Sequence, residues 1–246
     1  MSAIVCRQLT KSYGAFPVLK GIDLEVERGE MFGFLGPNGA GKTTTIKILT
    51  GLLLPSGGQV EVAGWDVVED PFEVKRRVGY VPDRAYLYDK LTGGEFLEFV
   101  GHLYGLAPGH ATREAGPYLE MFDLSGWADE LIEAYSHGMR QKLAVTAALL
   151  HRPEVLVIDE PMVGLDPRSA RRVKTLLKRL VDNGTTVFLS THTLEVAEAL
   201  CTRVAILQQG RILALGTIDE LRRQAMHDDG SLESIFLRLT EEEPVA

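Results

Sequence analysis

"MFGFLGPNGAGKTTTIKILTGLL", residues 31 to 53, places a short apolar run, a glycine-rich loop and a helix-forming run end to end. The loop Gly36-Pro37-Asn38-Gly39-Ala40-Gly41-Lys42-Thr43 fills the pattern G-x-x-x-x-G-K-[ST] without a departure, and Thr44 continues it. The pattern has a physical meaning when a strand precedes it and a helix follows. Its glycines let backbone N–H groups wrap a β-phosphate at a helix N-terminus, where the peptide dipoles favour an anion. Lys42 adds a point charge near the β- and γ-phosphates, and the Thr43 hydroxyl can ligate Mg²⁺. The stretch predicts an α/β nucleotide-binding fold.

The remainder has the composition of an ordinary globular protein: 246 residues, 45% hydrophobic and 24% charged. That is enough for one large domain or two small ones. A formal net charge of −8 argues against nucleic acid as a partner, since such binders need a basic surface. Cys6 and Cys201 form no metal-binding or CxxC spacing, which points to a reduced cytoplasmic setting. No signal segment opens the chain, and no apolar run approaches the roughly 18 residues a membrane span needs. A role at a membrane would need a second chain to supply the membrane part.

Texture divides the chain into three regions. Residues 1 to about 80 read as short strands with turns; "IDLEVE" alternates as a half-buried strand does, and Arg28-Gly29-Glu30 marks a turn. From about 84 to 150 the spacing is helical, with Phe96, Phe99, Val100, Leu103 and Tyr104 on one face and a helix over the 114–132 stretch interrupted near Gly126. From 154 onward, apolar strands without alternation are separated by helices, the signature of a parallel sheet covered on both faces. The last residues, "LTEEEPVA", form an acidic tail.

Three further clusters carry chemistry. In "VLVIDEP", residues 155 to 161, a buried strand ends in Asp159, which can present a carboxylate to Mg²⁺ beside the phosphate loop, and Glu160 follows it. Buried carboxylates at a strand end are costly unless something uses them. In "FLSTH", His192 stands just past another strand end, within reach of a γ-phosphate; the other five histidines, His102, His110, His137, His151 and His227, read as surface or packing residues. In "AYSHGMRQK", residues 134 to 142, Ser136 beside His137 invites a hydrolase reading, but no G-x-S-x-G elbow surrounds it. Ser136 reads instead as a helix N-cap, with Met139, Leu143, Ala147 and Leu150 following at helical spacing and uncovered N–H groups that attract anions.

In this order and spacing the motifs resemble those of the ATP-binding-cassette (ABC) ATPases that drive ABC transporters. The resemblance covers nearly the whole chain and rests on Tyr13, the loop at 36–43, "YSHGM" at 135–139, "VLVIDEP", "GLDP" at 164–167 and His192. It implies an ABC-type core with an N-terminal antiparallel β-subdomain, the core and β-subdomain at 1–83 and 151–220, a helical subdomain at 84–150 and a C-terminal helix and tail at 221–246. It further implies that Tyr13 stacks on adenine, that Glu160 polarises the attacking water, and that His192 senses the γ-phosphate. Asp166 would lie in a loop communicating between subunits. Ser136 and Gly138 match the family signature, which caps ATP held by a facing subunit in a head-to-tail dimer around two Mg-ATP. Tyr135, His137 and Met139 depart from its usual Leu, Gly and Gln, in the manner of export-type systems for drugs, ions or polysaccharides.

A second departure is Asp83, where the family places a glutamine that contacts Mg²⁺ and water and whose loop receives the permease. Asp83 can ligate Mg²⁺ directly or through water, or can leave the site looser until a partner docks. Tyr86, Leu87 and Tyr88 are consecutive and cannot all face one core, so at least one belongs at a partner-binding groove; Phe96 and Phe99 are expected inside. The expected protein is an ATPase subunit on the cytoplasmic face of a membrane, working with a second ATPase subunit and a separate transmembrane permease. An ABC ATPase of a soluble cofactor-assembly machine is the alternative, and a kinase or GTPase leaves "YSHGM" without a purpose.

Overall fold

Strand alternation in "IDLEVE" produces two distinct faces: Ile22, Leu24 and Val26 are buried, while Asp23, Glu25 and Glu27 face water. The computed structural model describes residues 1–225 and residue 236; His227 and, apart from Phe236, the tail beyond residue 225 lie outside the described residues. Residues Phe16–Glu27 form β2, which pairs antiparallel with β1 (Ser2–Tyr13). With β4 (Gly57–Val62) and β5 (Trp65–Asp66) they make an antiparallel sheet in the order β2-β1-β4-β5.

The turn at Arg28-Gly29 carries the chain from this sheet into a second one. There β3 (Met31–Leu35), β6 (Val78–Val81), β7 (Val155–Asp159), β8 (Thr186–Thr191), β9 (Arg203–Gln208) and β10 (Arg211–Thr217) align in the order β10-β9-β3-β8-β7-β6. Every residue of β3, β7 and β8 is buried, as continuous apolar strands in a sheet covered on both faces must be. Neighbours from β9 to β6 run parallel. The last strand departs from the expectation of parallel strands separated by helices: β10 is antiparallel to β9. Gln209 and Gly210, both with positive φ (46° and 81°), make the tight turn that suits a twisted hairpin.

One face of the large sheet packs against the antiparallel sheet and α1 (Lys42–Leu49), with Phe32 and Phe34 of β3 against Phe188 of β8 at ring separations of 5.8 and 5.2 Å. Each such side chain removed from water contributes about 1.5–3 kcal/mol. The other face is covered by α5 (His137–Leu149), α6 (Pro167–Asp182) and α7 (Leu194–Leu200).

Between β6 and β7 the chain is helical: α3 (Gly93–Leu103), α4 (His110–Met121) and then α5, with the short α2 (Pro71–Arg77) preceding β6. A reciprocal cap starts α3, the Thr92 hydroxyl accepting from the Glu95 amide at 3.2 Å while the Glu95 carboxylate accepts from the Thr92 amide at 2.8 Å. The helix expected through the 114–132 stretch ends earlier than its spacing suggests. It stops at Met121, Asp123 adopts φ +55°, and Ser125–Trp127 and Ile132–Ala134 are single 3₁₀ turns. Phe96 is buried as expected, but Phe99 is half exposed. The continuously described stretch ends in α8 (Ile218–Ala225).

Candidate functional site

The C-terminal ends of β3, β7 and β8 come together, Leu35 pairing with Thr191 and Asp159 with Ser190. This is where open α/β sheets bind ligands, and the phosphate loop leaves β3 there. Glycine is demanded twice along it. A Cβ on Gly36 would run into the Leu207 carbonyl oxygen. Gly41, the residue before α1, holds φ +111°, and a Cβ there would lie 2.6 Å from Leu19 Cδ2. The amides of Gly39, Gly41, Lys42, Thr43 and Thr44 find no acceptor among the described residues and are left as free donors along the loop. Lys42 is folded into the loop, its Nζ donating to the Gly36 carbonyl at 2.5 Å and the Pro37 carbonyl at 3.2 Å. One of its three N–H donors remains. Burial holds the Lys42 ammonium below the usual lysine range, and the charges of Glu160 and Asp159 oppose that shift.

Asp159 ends β7 almost wholly buried. Burial pushes its carboxyl above the usual range; Glu160 and Asp83 add to the push, and Lys42 opposes it. The Ser190 hydroxyl across the strand pair also eases the charge, although its oxygen makes no hydrogen bond of normal geometry among the described residues. Glu160 turns the chain out of the strand with φ +48°, a strained conformation for a residue with a Cβ, held by its amide donating to the Ser190 carbonyl at 2.9 Å. That twist aims the carboxylate at β8. Oε2 accepts from the Thr191 hydroxyl at 3.0 Å, and Oε1 accepts from the His192 amide at 2.9 Å and from His192 Nδ1 at 2.7 Å. Three of roughly four lone-pair positions on the carboxylate are thus occupied, and its orientation is fixed.

Tyr13 ends β1 half exposed, with Lys11 Nζ 5.4 Å from its ring centre. Its hairpin partner Phe16 is exposed as well, and the following β2 residues Val18 and Leu19 abut Gly41. The hairpin end therefore borders the phosphate loop.

Ser136 is the N-cap of α5: its hydroxyl accepts from the Met139 amide at 3.3 Å, with no hydrogen bond to His137. The His137 ring lies on Gly164, so close that a Cβ on Gly164 would strike it, and a Cβ on Gly138 would sit 3.2 Å from the Gly164 carbonyl. Asp166 caps α6, accepting from the Arg168 and Ser169 amides at 2.9 and 3.0 Å and from the Ser169 hydroxyl, which holds its carboxyl below the usual range. Ser136, Gly138 and Asp166 thus form one surface, and no hydrogen bond joins it to the phosphate loop of the same chain among the described residues.

Residues 19–163 match the family model described as "ABC transporter". A daunorubicin resistance ATP-binding protein of Streptomyces coeruleorubidus is 42% identical over 227 residues, 92% of this chain and 72% of that one. A linearmycin resistance ATP-binding protein of Bacillus subtilis is 40% identical over 213 residues, 87% of this chain and 68% of that one. The chain belongs to the ABC transporter ATP-binding family.

Solved structures agree with this cassette. An ATP-binding subunit of an ABC transporter superposes with a TM-score of 0.91 at 34% identity, covering 97% of this chain and 99% of that one. A dimeric ATP-binding cassette in a post-hydrolysis state with ADP and Pi superposes with a TM-score of 0.80 at 26% identity, covering 87% and 98%. The cassette is an ATP-binding and ATP-hydrolysing subunit of a transporter.

Two features of the cassette site lay outside the sequence reading. Thr191, one residue before His192, holds Glu160; its place in "FLSTH" was the available signal. Phe16 gives the hairpin end a second aromatic. Asp83 is exposed at the end of β6, close enough for its charge to act on Asp159 and, after burial and Asp159, on Tyr80, whose hydroxyl is pushed up to about 12. Beyond it opens a groove of about 490 Å³ with Phe72, Tyr80, Tyr86, Leu87, Leu103 and Tyr104 in its walls. Tyr86 is 87% exposed, whereas Tyr88 leans edge-on against Phe99 at 5.4 Å.

Proposed function

We propose that the cassette hydrolyses Mg-ATP by in-line attack of water, in a head-to-tail dimer coupled to a separate membrane permease of export type. The observation that carries the reading is the fixed Glu160 carboxylate, set between Lys42, Asp159 and His192 at the mouth of the phosphate loop. The free loop amides and the remaining Lys42 donor bind the β- and γ-phosphates, and Tyr13 takes the adenine face. Glu160 accepts the water's hydrogen on its unused lone pair and sets the water's direction of attack. With Nδ1 committed to Glu160, His192 has Nε2 left to meet a γ-phosphate oxygen.

The donor set fits Mg²⁺: a hydroxyl on Thr43, a buried carboxylate on Asp159 with the buried Ser190 hydroxyl across the strand pair, and Asp83 alongside. When bound, the ion would neutralise charge on the β- and γ-oxygens. Ser136, Gly138 and the uncovered amides at the start of α5 face the nucleotide of a facing subunit, and Asp166 shapes the adjoining loop.

The 84–150 region, carrying α3 to α5, acts as a subdomain bearing this signature on the 1–83 and 151–220 core. Its groove beside Asp83 to Tyr88 receives the permease, which places the cassette on the cytoplasmic membrane face; no helix among the described residues is long and apolar enough to cross a membrane. The relatives named for daunorubicin and linearmycin resistance support export of drug-like molecules, and they lend nothing to a soluble assembly machine. The test is Tyr86→Ala. Exposed as Tyr86 is, its loss leaves folding and basal turnover unchanged but weakens co-purification with the membrane subunit by about tenfold or more. Undiminished membrane association would refute the docking assignment.

A further inference from the structure

Three backbone segments meet beside the nucleotide site: the phosphate loop, the β1–β2 hairpin and the turn between β9 and β10. Gly210 in that turn uses both of its backbone groups on the other two. Its amide donates to the Ala40 carbonyl of the phosphate loop at 2.9 Å, and its carbonyl accepts from the Lys20 amide of β2 at 2.9 Å. Among the described residues no backbone hydrogen bond joins the hairpin to the phosphate loop directly. Little room surrounds this junction. Gly210 is buried with φ +81°, and a Cβ there would run into the Val18 carbonyl oxygen. Arg211 reinforces the contact, its Nη1 donating to the Lys20 carbonyl at 3.0 Å.

The hairpin needs such a support where it stands. Pairing of β4 with β1 ends at Thr10, opposite Gly57, so beyond Thr10 the hairpin continues as two strands. A two-stranded ribbon is marginal in water and depends on its surroundings. Its β1 edge is held by Lys11 Nζ donating to the Leu54 carbonyl at 2.8 Å and the Ser12 amide donating to the Ser56 hydroxyl at 3.0 Å. Its β2 edge is held by Gly210 at Lys20, the residue paired with Thr10. Tyr13 stands at the far end, paired with Phe16, about 13 Å along the strand from Lys20 at ~3.3 Å per residue. A small tilt at Lys20 is therefore enlarged at Tyr13.

We propose that Gly210 is a positioning residue that fixes the spacing between the base platform at Tyr13 and the phosphate loop. ATP joins a base to a phosphate chain of limited reach, and two linked groups reinforce each other only when both sites can be engaged at once. Gly210 makes that spacing a property of the folded chain before nucleotide arrives. It acts through Ala40 on one side and Lys20 on the other, and touches neither adenine nor phosphate. The proposal rests on Tyr13 taking the adenine face.

The test compares calorimetric affinities of the full chain for Mg-ATP and for Mg-tripolyphosphate, which has the phosphates without the base. Gly210→Ala drives the hairpin away from the turn. Lys20→Pro is the milder variant: β2 is the outer strand of its sheet and the Lys20 N–H points at Gly210, so proline removes that bond and none of the ladder. Each is expected to weaken Mg-ATP binding about tenfold and to leave tripolyphosphate within about twofold. In a Tyr13→Ala background, Lys20→Pro is expected to change ATP affinity by less than about twofold, because the platform it displaces is already gone. A residue that merely holds the fold would weaken both ligands together, with or without Tyr13. Parental ATP affinity in Lys20→Pro overturns the proposal, as does an equal loss for the two ligands or a full loss in the Tyr13→Ala background. Tyr13→Ala alone separates the two readings. If it lowers ATP affinity relative to tripolyphosphate while Lys20→Pro does not, only the role of Gly210 is wrong; if it does not, the adenine assignment fails and the proposal with it.

Discussion

Lowering the pH should weaken the wall of the groove beyond Asp83 through one residue, His151. Its ring lies flat on Tyr104, with centroids 3.7 Å apart and planes within 4°, and Nε2 donates to the Val78 carbonyl at 3.2 Å. Nδ1 is buried with no partner, so a proton placed there would sit in apolar surroundings without an acceptor. Burial accordingly lowers the imidazole from 6.5 to about 4, with the Val78 bond working weakly the other way. A depressed histidine contributes stability that is present above pH 6.5 and lost as pH falls toward 4, because the unfolded chain takes up the proton first. The full gap is worth about 3 kcal/mol, and water's access to part of the ring reduces that to about 2. Urea unfolding of wild type and His151→Phe at about pH 7 and about pH 4.5 isolates the effect, since phenylalanine keeps the stack and other groups titrate alike in both. The wild type should lose about 2 kcal/mol more than the variant over that range. Equal losses would refute the argument.

Lys42→Ala should abolish hydrolysis and weaken Mg-ATP binding, because the charge at the centre of the loop is lost while the free amides remain; calorimetry showing wild-type affinity would contradict the loop's role. Glu160→Gln keeps the shape of the side chain, and its amide can still accept from His192 and face the Thr191 hydroxyl, so ATP should bind normally. Turnover should fall by ~10²-fold or more, about 2.7 kcal/mol of barrier, and unchanged turnover would remove Glu160 from the chemistry.

The phosphate loop was legible because its signal is local: strand, glycines and helix start are contiguous, and the glycines mark backbone that a Cβ would block. The fully buried strands were legible for a similar reason, since apolar continuity over Val155–Asp159 and Thr186–Thr191 has few other uses. Distance along the chain hid the rest. Nothing in "IDEP" announces that Glu160 takes φ +48°, because the strain is maintained by Ser190, Thr191 and His192, thirty residues on. His137 read as an ordinary histidine, and its seat on Gly164 exists only once α5 and the loop before α6 are packed. The antiparallel β10 was missed because Gln209-Gly210 is a weaker hairpin signal than Asn-Gly. Asp166 was placed by resemblance alone, although an Asp-Pro opening a helix is itself a capping signal that the structure makes explicit.

The central claim is that Ser136 serves the nucleotide of another subunit rather than only capping its own helix. Aspartate caps a helix about as well as serine, so Ser136→Asp preserves α5 while setting an anion where a γ-phosphate would sit. Sedimentation of Glu160→Gln with Mg-ATP, with and without Ser136→Asp, measures this directly. The account predicts a dimer for the parent and monomers for the Ser136→Asp variant, with monomer ATP affinity the same in both. Equal dimerisation of the two proteins would contradict it and leave Ser136 as a helix cap.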